Sequence, residues 1–182
     1  SIAYMGYIMF AMGIGLGYNI ESAVQAGFFL LLSHAAMKGL AFLSKGVCRF
    51  YCGTTSIEEL RGTFQQLPLV AVTFSIALIG LGGVPPLAGF AAKWFVLAEV
   101  LQAGSTLVYI GLVIFLLNSV ISVVYYLPML IRLFSHLPER EPNPIPISYW
   151  MVIPLVILSL LVLAVGFAPG MWLAWSADLL QF

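Results

Sequence analysis

Charged residues are scarce in this sequence. Lysine plus arginine number seven and aspartate plus glutamate number seven among 182 residues, so that 8% of the chain is charged and the formal net charge is zero. Nucleic-acid-binding proteins present a basic surface to the phosphate backbone, and this composition does not supply one. We therefore expect no nucleic-acid partner.

Cysteine is also scarce, and its placement does not indicate a metal or redox centre. Cys48 and Cys52 form a C-x-x-x-C pattern with no further cysteine or histidine close by in the sequence. Such a pair is weak evidence for zinc or for a redox couple, and small residues at a helix end are the simpler interpretation. There is no G-x-G-x-x-G motif and no cysteine-rich run. We expect no cofactor, no metal and no electron transfer within this chain.

Long hydrophobic runs dominate the sequence instead. Hydrophobic residues make up 62% of the chain, and apolar runs long enough to cross a hydrocarbon core of about 30 Å recur along it. The fold class expected is all-α, a polytopic transmembrane helical bundle. We predict one transmembrane domain over 1–182 with about six membrane segments, at 1–18, 23–51, 68–83, 87–103, 106–134 and 149–168.

The parts of the chain outside these segments are short. The proline-rich, charged stretch 135–148 is predicted to be an extramembrane loop. Cationic residues fall on both sides of the membrane, so the positive-inside rule does not decide the orientation. The chain opens on Ser1 without an initiator methionine or the charged start of a signal peptide, and we expect it to be the tail of a longer subunit.

The second segment carries four cationic side chains on one face. At 100° per residue, His34, Lys38, Lys45 and Arg49 lie within an arc of about 60°. A lysine near the middle of such a run costs about 2.5 to 3.5 kcal/mol to place in a bilayer, so it should face protein or water rather than lipid. We interpret Lys38 as a buried functional group. Lys45 either continues this face or extends to the membrane surface.

A second lysine follows a predicted interruption of the helix. Gly83, Pro85 and Pro86 cannot continue a regular helix, and Lys93 lies within two turns of them. Broken helices at membrane depth are tolerated where the freed backbone groups meet protein or water, and they mark ion sites in transporters. The alternative is a tight loop between two ordinary spans, with Lys93 extended to the membrane surface.

A polar stripe marks the segment 106–134. Asn118, Ser122 and Tyr125 recur at helical spacing on an otherwise apolar helix. Such a stripe can hold a short chain of water molecules. Serine and asparagine also join transmembrane helices to one another, and the sequence leaves both interpretations open.

Three stretches, in this order, match one family of membrane proteins: SIAYMGY (1–7), HAAMKGLAFLSKG (34–46) and GVPPLAGFAAKW (83–94). Two others support the match, IEELRG (57–62) and LLNSVISVVYYLPMLIRLF (116–134). The chain resembles the antiporter-like proton-translocating subunits of respiratory complex I (N, M and L types), of Mrp sodium/proton antiporters (A and D types) and of membrane-bound hydrogenases. These have about fourteen transmembrane helices in two inverted repeats, and the resemblance implies that this chain is the C-terminal portion.

The resemblance also implies roles for individual residues. Lys38 with His34 takes the place of the central-axis lysine and its histidine neighbour, and Lys93 takes the place of the ionisable residue beside the broken helix. The glutamate–lysine pair of the first repeat would lie N-terminal to Ser1.

The function implied is proton translocation, or sodium–proton exchange, by a non-redox membrane subunit of a multisubunit oxidoreductase or translocase. Lys38, Lys93 and His34 form the expected pathway, with Lys45, Asn118, Ser122 and Tyr125 as further members. Expected partners are other membrane subunits, the lipid bilayer and H⁺ or Na⁺. Two rival functions remain, a structural or assembly subunit whose lysines are locked in ion pairs, and a small-molecule transporter with its substrate at the helix break.

Overall fold

The computed structural model describes residues 2–53, 60–135 and 145–171, and these ranges form a bundle of α-helices. The helices are α1 (Ile2–Gly17), α2 (Glu21–Cys52), α3 (Thr63–Gln66), α4 (Pro68–Gly82), α5 (Ala88–Val100), α6 (Thr106–Phe134) and α7 (Tyr149–Phe167), with a 3₁₀ turn, Leu101–Ala103, after α5. Most of the predicted loop 135–148 lies outside the described residues.

Three of these helices, α2, α6 and α7, are long and apolar enough to cross a membrane. The helices α1 and α4 are apolar but shorter. At 1.5 Å per residue the 32-residue α2 is about 48 Å long, so it must tilt or extend beyond the hydrocarbon core. The expected all-helical membrane fold is confirmed. The number of membrane crossings stays a prediction.

A short turn joins α1 to α2 and makes them antiparallel. Asn19 has a positive φ of 55°, and the backbone N–H of Ile20 donates to the carbonyl of Gly15. The helices pack closely because Gly15 and Gly27 have no side chain. A Cβ at Gly27 would lie 2.9 Å from the Met12 side chain. Tyr4, near the start of α1, is thereby placed beside His34 in the middle of α2.

The helices α4 and α5 contact successive parts of α2 and run in one direction along it. Thr73 of α4 lies 3.3 Å from Ser44, between the two hydroxyl oxygens. Further along, Gly80 faces Met37. In α5 the ring of Phe95 lies 5.9 Å from that of Phe29. A hairpin would instead return α5 towards Ser44, so α4 and α5 are the two parts of one broken helix.

The break itself is short, and its two prolines are exposed while the residues on either side are buried or half-buried. Gly83 ends α4 with a φ of +80°, a left-handed conformation that glycine adopts readily, and its N–H donates to the carbonyls of Gly80 and Ile79. The peptide bond between Pro85 and Pro86 is cis. The helix α7 packs directly on this segment, since a Cβ at Gly166 would lie 2.2 Å from the carbonyl oxygen of Pro86.

Candidate functional site

Lys93 is buried inside the bundle, with 5% of its surface exposed. Its ammonium group donates to the Ser119 hydroxyl oxygen on α6 at 2.9 Å and to the Gly82 carbonyl oxygen at 3.3 Å. The same nitrogen lies over the ring of Tyr4, 5.1 Å from its centroid, and over that of Tyr7 at 5.4 Å. The alternative in which Lys93 extends to the membrane surface is therefore wrong.

The positive charge of Lys93 is stabilised here by dipoles and aromatic rings. Gly82 is the last residue of α4, where carbonyl groups carry the negative end of the helix dipole. Aromatic faces attract a cation by about 0.5 to 2 kcal/mol each. Within the described part of the chain, none of the groups that contact Lys93 is a carboxylate. Lys93 therefore makes no permanent ion pair with these residues.

His34 is also buried, with 5% exposed, and its ring stacks on that of Tyr4. The ring centroids are 4.4 Å apart and the planes differ by 17°. The Nδ1 atom of His34 has no hydrogen-bond partner among the described residues. Buried polar atoms are rarely left unpaired, so this nitrogen is unusual within the described part of the chain.

Lys38 and Lys45 line a cavity of about 430 Å³ between α2, α4 and α6. The sequence predicted a buried Lys38, but the structure shows it partly exposed, with its ammonium group 5.3 Å from the centroid of the Phe42 ring. Exposure rises along this face of α2, from buried His34 to exposed Arg49. Lys93 does not line this cavity. His34 lies one turn from Lys38 in α2 and stacks on Tyr4, whose ring also lies under Lys93.

The predicted polar stripe of α6 is divided between two surfaces. Asn118 lines a groove of about 450 Å³ between α1 and α6, whereas Tyr125 lines the lysine cavity. The Ser122 hydroxyl donates to the backbone carbonyl of Asn118 within the same helix, at 2.9 Å. The structure therefore does not bring these three side chains together.

Sequence reasoning missed Ser119, Tyr4 and Tyr7, which all contact Lys93. Ser119 follows Asn118 in the sequence, but successive side chains of a helix point 100° apart. Ser119 therefore points towards Lys93 of α5, whereas Asn118 lines the groove with α1. The motif SIAYMGY in α1 indicated the family. It did not indicate that Tyr4 and Tyr7 contact Lys93.

Comparison with known proteins places the chain in a family. Residues 1–122 match the family described as NADH:quinone oxidoreductase/Mrp antiporter, transmembrane. NADH-quinone oxidoreductase subunit 14 of Thermus thermophilus is 34% identical over 171 residues, covering 94% of this chain and 37% of that protein. Na(+)/H(+) antiporter subunit A1 of Staphylococcus aureus is 28% identical over 189 residues, covering 93% of this chain and 24% of that protein.

Solved structures show the same relationship. Respiratory complex I from Thermus thermophilus with bound aureothin contains a chain that matches with a TM-score of 0.69 and 33% identity, over 93% of this chain and 36% of that one. The Mrp complex from Dietzia sp. DQ12-45-1b matches in fold with a TM-score of 0.74 at 22% identity, over 85% of this chain and 36% of that one. This chain spans between a quarter and about two fifths of the length of these relatives. It is a member of the NADH:quinone oxidoreductase/Mrp antiporter transmembrane family.

Proposed function

We propose that this chain forms part of a proton-translocating, antiporter-like membrane subunit within a multisubunit complex. The observation that carries the proposal is the buried ammonium group of Lys93, held at a helix break with no carboxylate among its described contacts. Burial disfavours the charged form of a lysine. A lysine so placed can alternate between charged and neutral forms when nearby charges change.

The proposed path runs from the Lys38 cavity through His34 to Lys93. Lys38 is open to a cavity large enough for several water molecules. His34 lies one helical turn away, and imidazole is suited to relay protons because its unperturbed pKa is about 6.5. The unpaired His34 Nδ1 supports a water-mediated step at this point. Lys45 and Tyr125 would extend the path along the cavity.

Other membrane subunits are the proposed partners, since the relatives are named as subunits of NADH-quinone oxidoreductases and Na(+)/H(+) antiporters. Lysine protonation would then respond to charge displacements that begin elsewhere in the complex. Protons are the cargo the site favours, because Lys93 and His34 can bind H⁺ directly. Sodium–proton exchange is the second candidate, favoured by the match to an Na(+)/H(+) antiporter subunit.

The two rival functions fit the site less well. A purely structural subunit would lock its lysines in ion pairs, and neither Lys38 nor Lys93 contacts a carboxylate among the described residues. A small-molecule transporter would need polar groups to bind a substrate at the break, but the cavity of about 490 Å³ beside it is lined mainly by apolar side chains such as Ala88 and Val165.

The test of the proposal is the variant Lys38→Met, which removes the charge and keeps much of the side-chain volume. We expect proton translocation per assembled complex to fall at least about ten-fold, equivalent to about 1.4 kcal/mol in the barrier. Arg49→Met is the matched control, because Arg49 is an exposed cation near the end of the same helix. Proton uptake and the amount of assembled complex are measured separately. Reduced assembly with a normal rate in the remaining complex would favour the structural rival.

A further inference from the structure

The side chain of Tyr4 contacts two ionisable groups of the candidate site, His34 and Lys93, and also the helix break. We propose that Tyr4 is a positioning residue that fixes His34, Lys93 and the end of α4 relative to one another. The inference rests on the proposed function, because the purpose of this arrangement is to keep the two proton-binding groups in register. Tyr4 itself is 2% exposed.

The hydroxyl group of Tyr4 is bound to the last turn of α4. It donates to the carbonyl oxygen of Leu81 at 2.9 Å and lies 3.4 Å from that of Gly80. The final carbonyl groups of a helix lack partners within the helix, and a break in the bilayer leaves them without water unless side chains bind them. Tyr4, from a different helix, supplies such a donor.

Tyr4 and Lys93 bind neighbouring carbonyl groups. The tyrosine hydroxyl binds Leu81, and the ammonium group binds Gly82, the next residue. When Lys93 loses a proton its bond to Gly82 weakens, because a neutral amine is a poorer donor than an ammonium group. The Tyr4 bond then remains to hold the end of α4 in place.

The ring of Tyr4 makes the other two contacts. It stacks on His34 with a centroid separation of 4.4 Å, and Lys93 lies over it at 5.1 Å. Any displacement of the ring therefore alters the surroundings of both groups at once. The position of the ring is set by the packing of α1 on α2 and by the hydroxyl bond to α4.

Tyr7 provides a matched comparison. Its ring also lies under Lys93, at 5.4 Å, and it belongs to the same helix one turn later. Its hydroxyl group, however, lies beside Ser122 of α6 and makes no bond to the end of α4. Removing the hydroxyl from each tyrosine in turn thus separates the bond to α4 from the ring contacts.

The experiment measures proton translocation per assembled complex in membranes that contain Tyr4→Phe, Tyr7→Phe or Tyr4→Leu. We expect Tyr4→Phe to lower the rate about three- to ten-fold, the effect of losing one buried hydrogen bond. Tyr7→Phe should lower the rate less than Tyr4→Phe, because it leaves the bond between Tyr4 and α4 in place. Tyr4→Leu should lower the rate further, because it also removes the ring contacts, so that phenylalanine partly rescues the site.

The outcomes distinguish positioning from simple stability. A structural role alone would reduce the amount of assembled complex and leave the rate per complex unchanged, and that result would overturn the proposal. Equal rates for Tyr4→Phe and Tyr7→Phe would also overturn it. If the lysine variants Lys38→Met and Lys93→Met transport normally, the proposed function fails instead, whatever the tyrosine variants do.

Discussion

Replacing Lys93 with methionine is expected to reduce proton translocation by at least about a hundred-fold per assembled complex, the scale on which a positioned proton-transfer group acts. Methionine fills similar volume and is apolar, so the bundle should still assemble. The variant removes the ammonium group that binds Ser119 and Gly82, and no described carboxylate is left unpaired. The measurement is acidification of membrane vesicles followed with a pH-sensitive dye, normalised to the assembled complex.

The companion variant Lys93→Arg separates charge from proton exchange. Arginine keeps the cation but does not release its proton in proteins, because its pKa lies far above physiological pH. If Lys93 must gain and lose a proton, arginine should be nearly as defective as methionine while assembling normally. Wild-type transport by the arginine variant would contradict the mechanism and support a fixed structural cation.

The substitution Gly89→Ala is expected to destabilise the bundle by about 2 to 3 kcal/mol, the range for overpacking a tight interior. Gly89 lies in the first turn of α5, and a Cβ there would overlap the carbonyl oxygen of Gly80 and approach the Tyr4 hydroxyl at 3.1 Å. Backbone on the other side of the break cannot yield as a flexible side chain can. Thermal unfolding in detergent, followed by circular dichroism, measures the loss.

Gly13→Ala in α1 is the control for this prediction. No atom lies within 4 Å of the position its Cβ would take, and alanine favours a helix over glycine by up to about 1 kcal/mol. This variant should therefore be neutral or slightly stabilised. Equal stability of the Gly89 and Gly13 variants would show that α4 and α5 do not approach as closely as described.

The sequence predicted the helix break correctly, because proline chemistry acts locally. Pro85 and Pro86 exclude a continuous helix whatever surrounds them. Whether the chain reverses or continues after the break is decided by contacts with α2, through Thr73 and Phe95, and these depend on tertiary packing. The direction of α5 could not be derived from the break alone.

The candidate site was predicted only in part, because sequence patterns act locally whereas burial depends on tertiary packing. Helical periodicity placed His34 and Lys38 on one face of α2, and the proline break close to Lys93 singled out that lysine. The burial of each group depends on which helices cover it, so Lys38 is more exposed than expected. Tyr4 and Ser119 belong to helices distant in sequence from Lys93, and only the folded bundle brings them to it.

The close packing of Gly166 on Pro86 connects the last described helix of the chain to the break. The outer side of α7 carries exposed apolar residues, Ile153, Ile157 and Leu160. Tightly packed interiors transmit small displacements because they contain little free volume. A displacement of α7 would therefore act on the backbone of the break, close to Gly83 and Lys93, through a single helix contact.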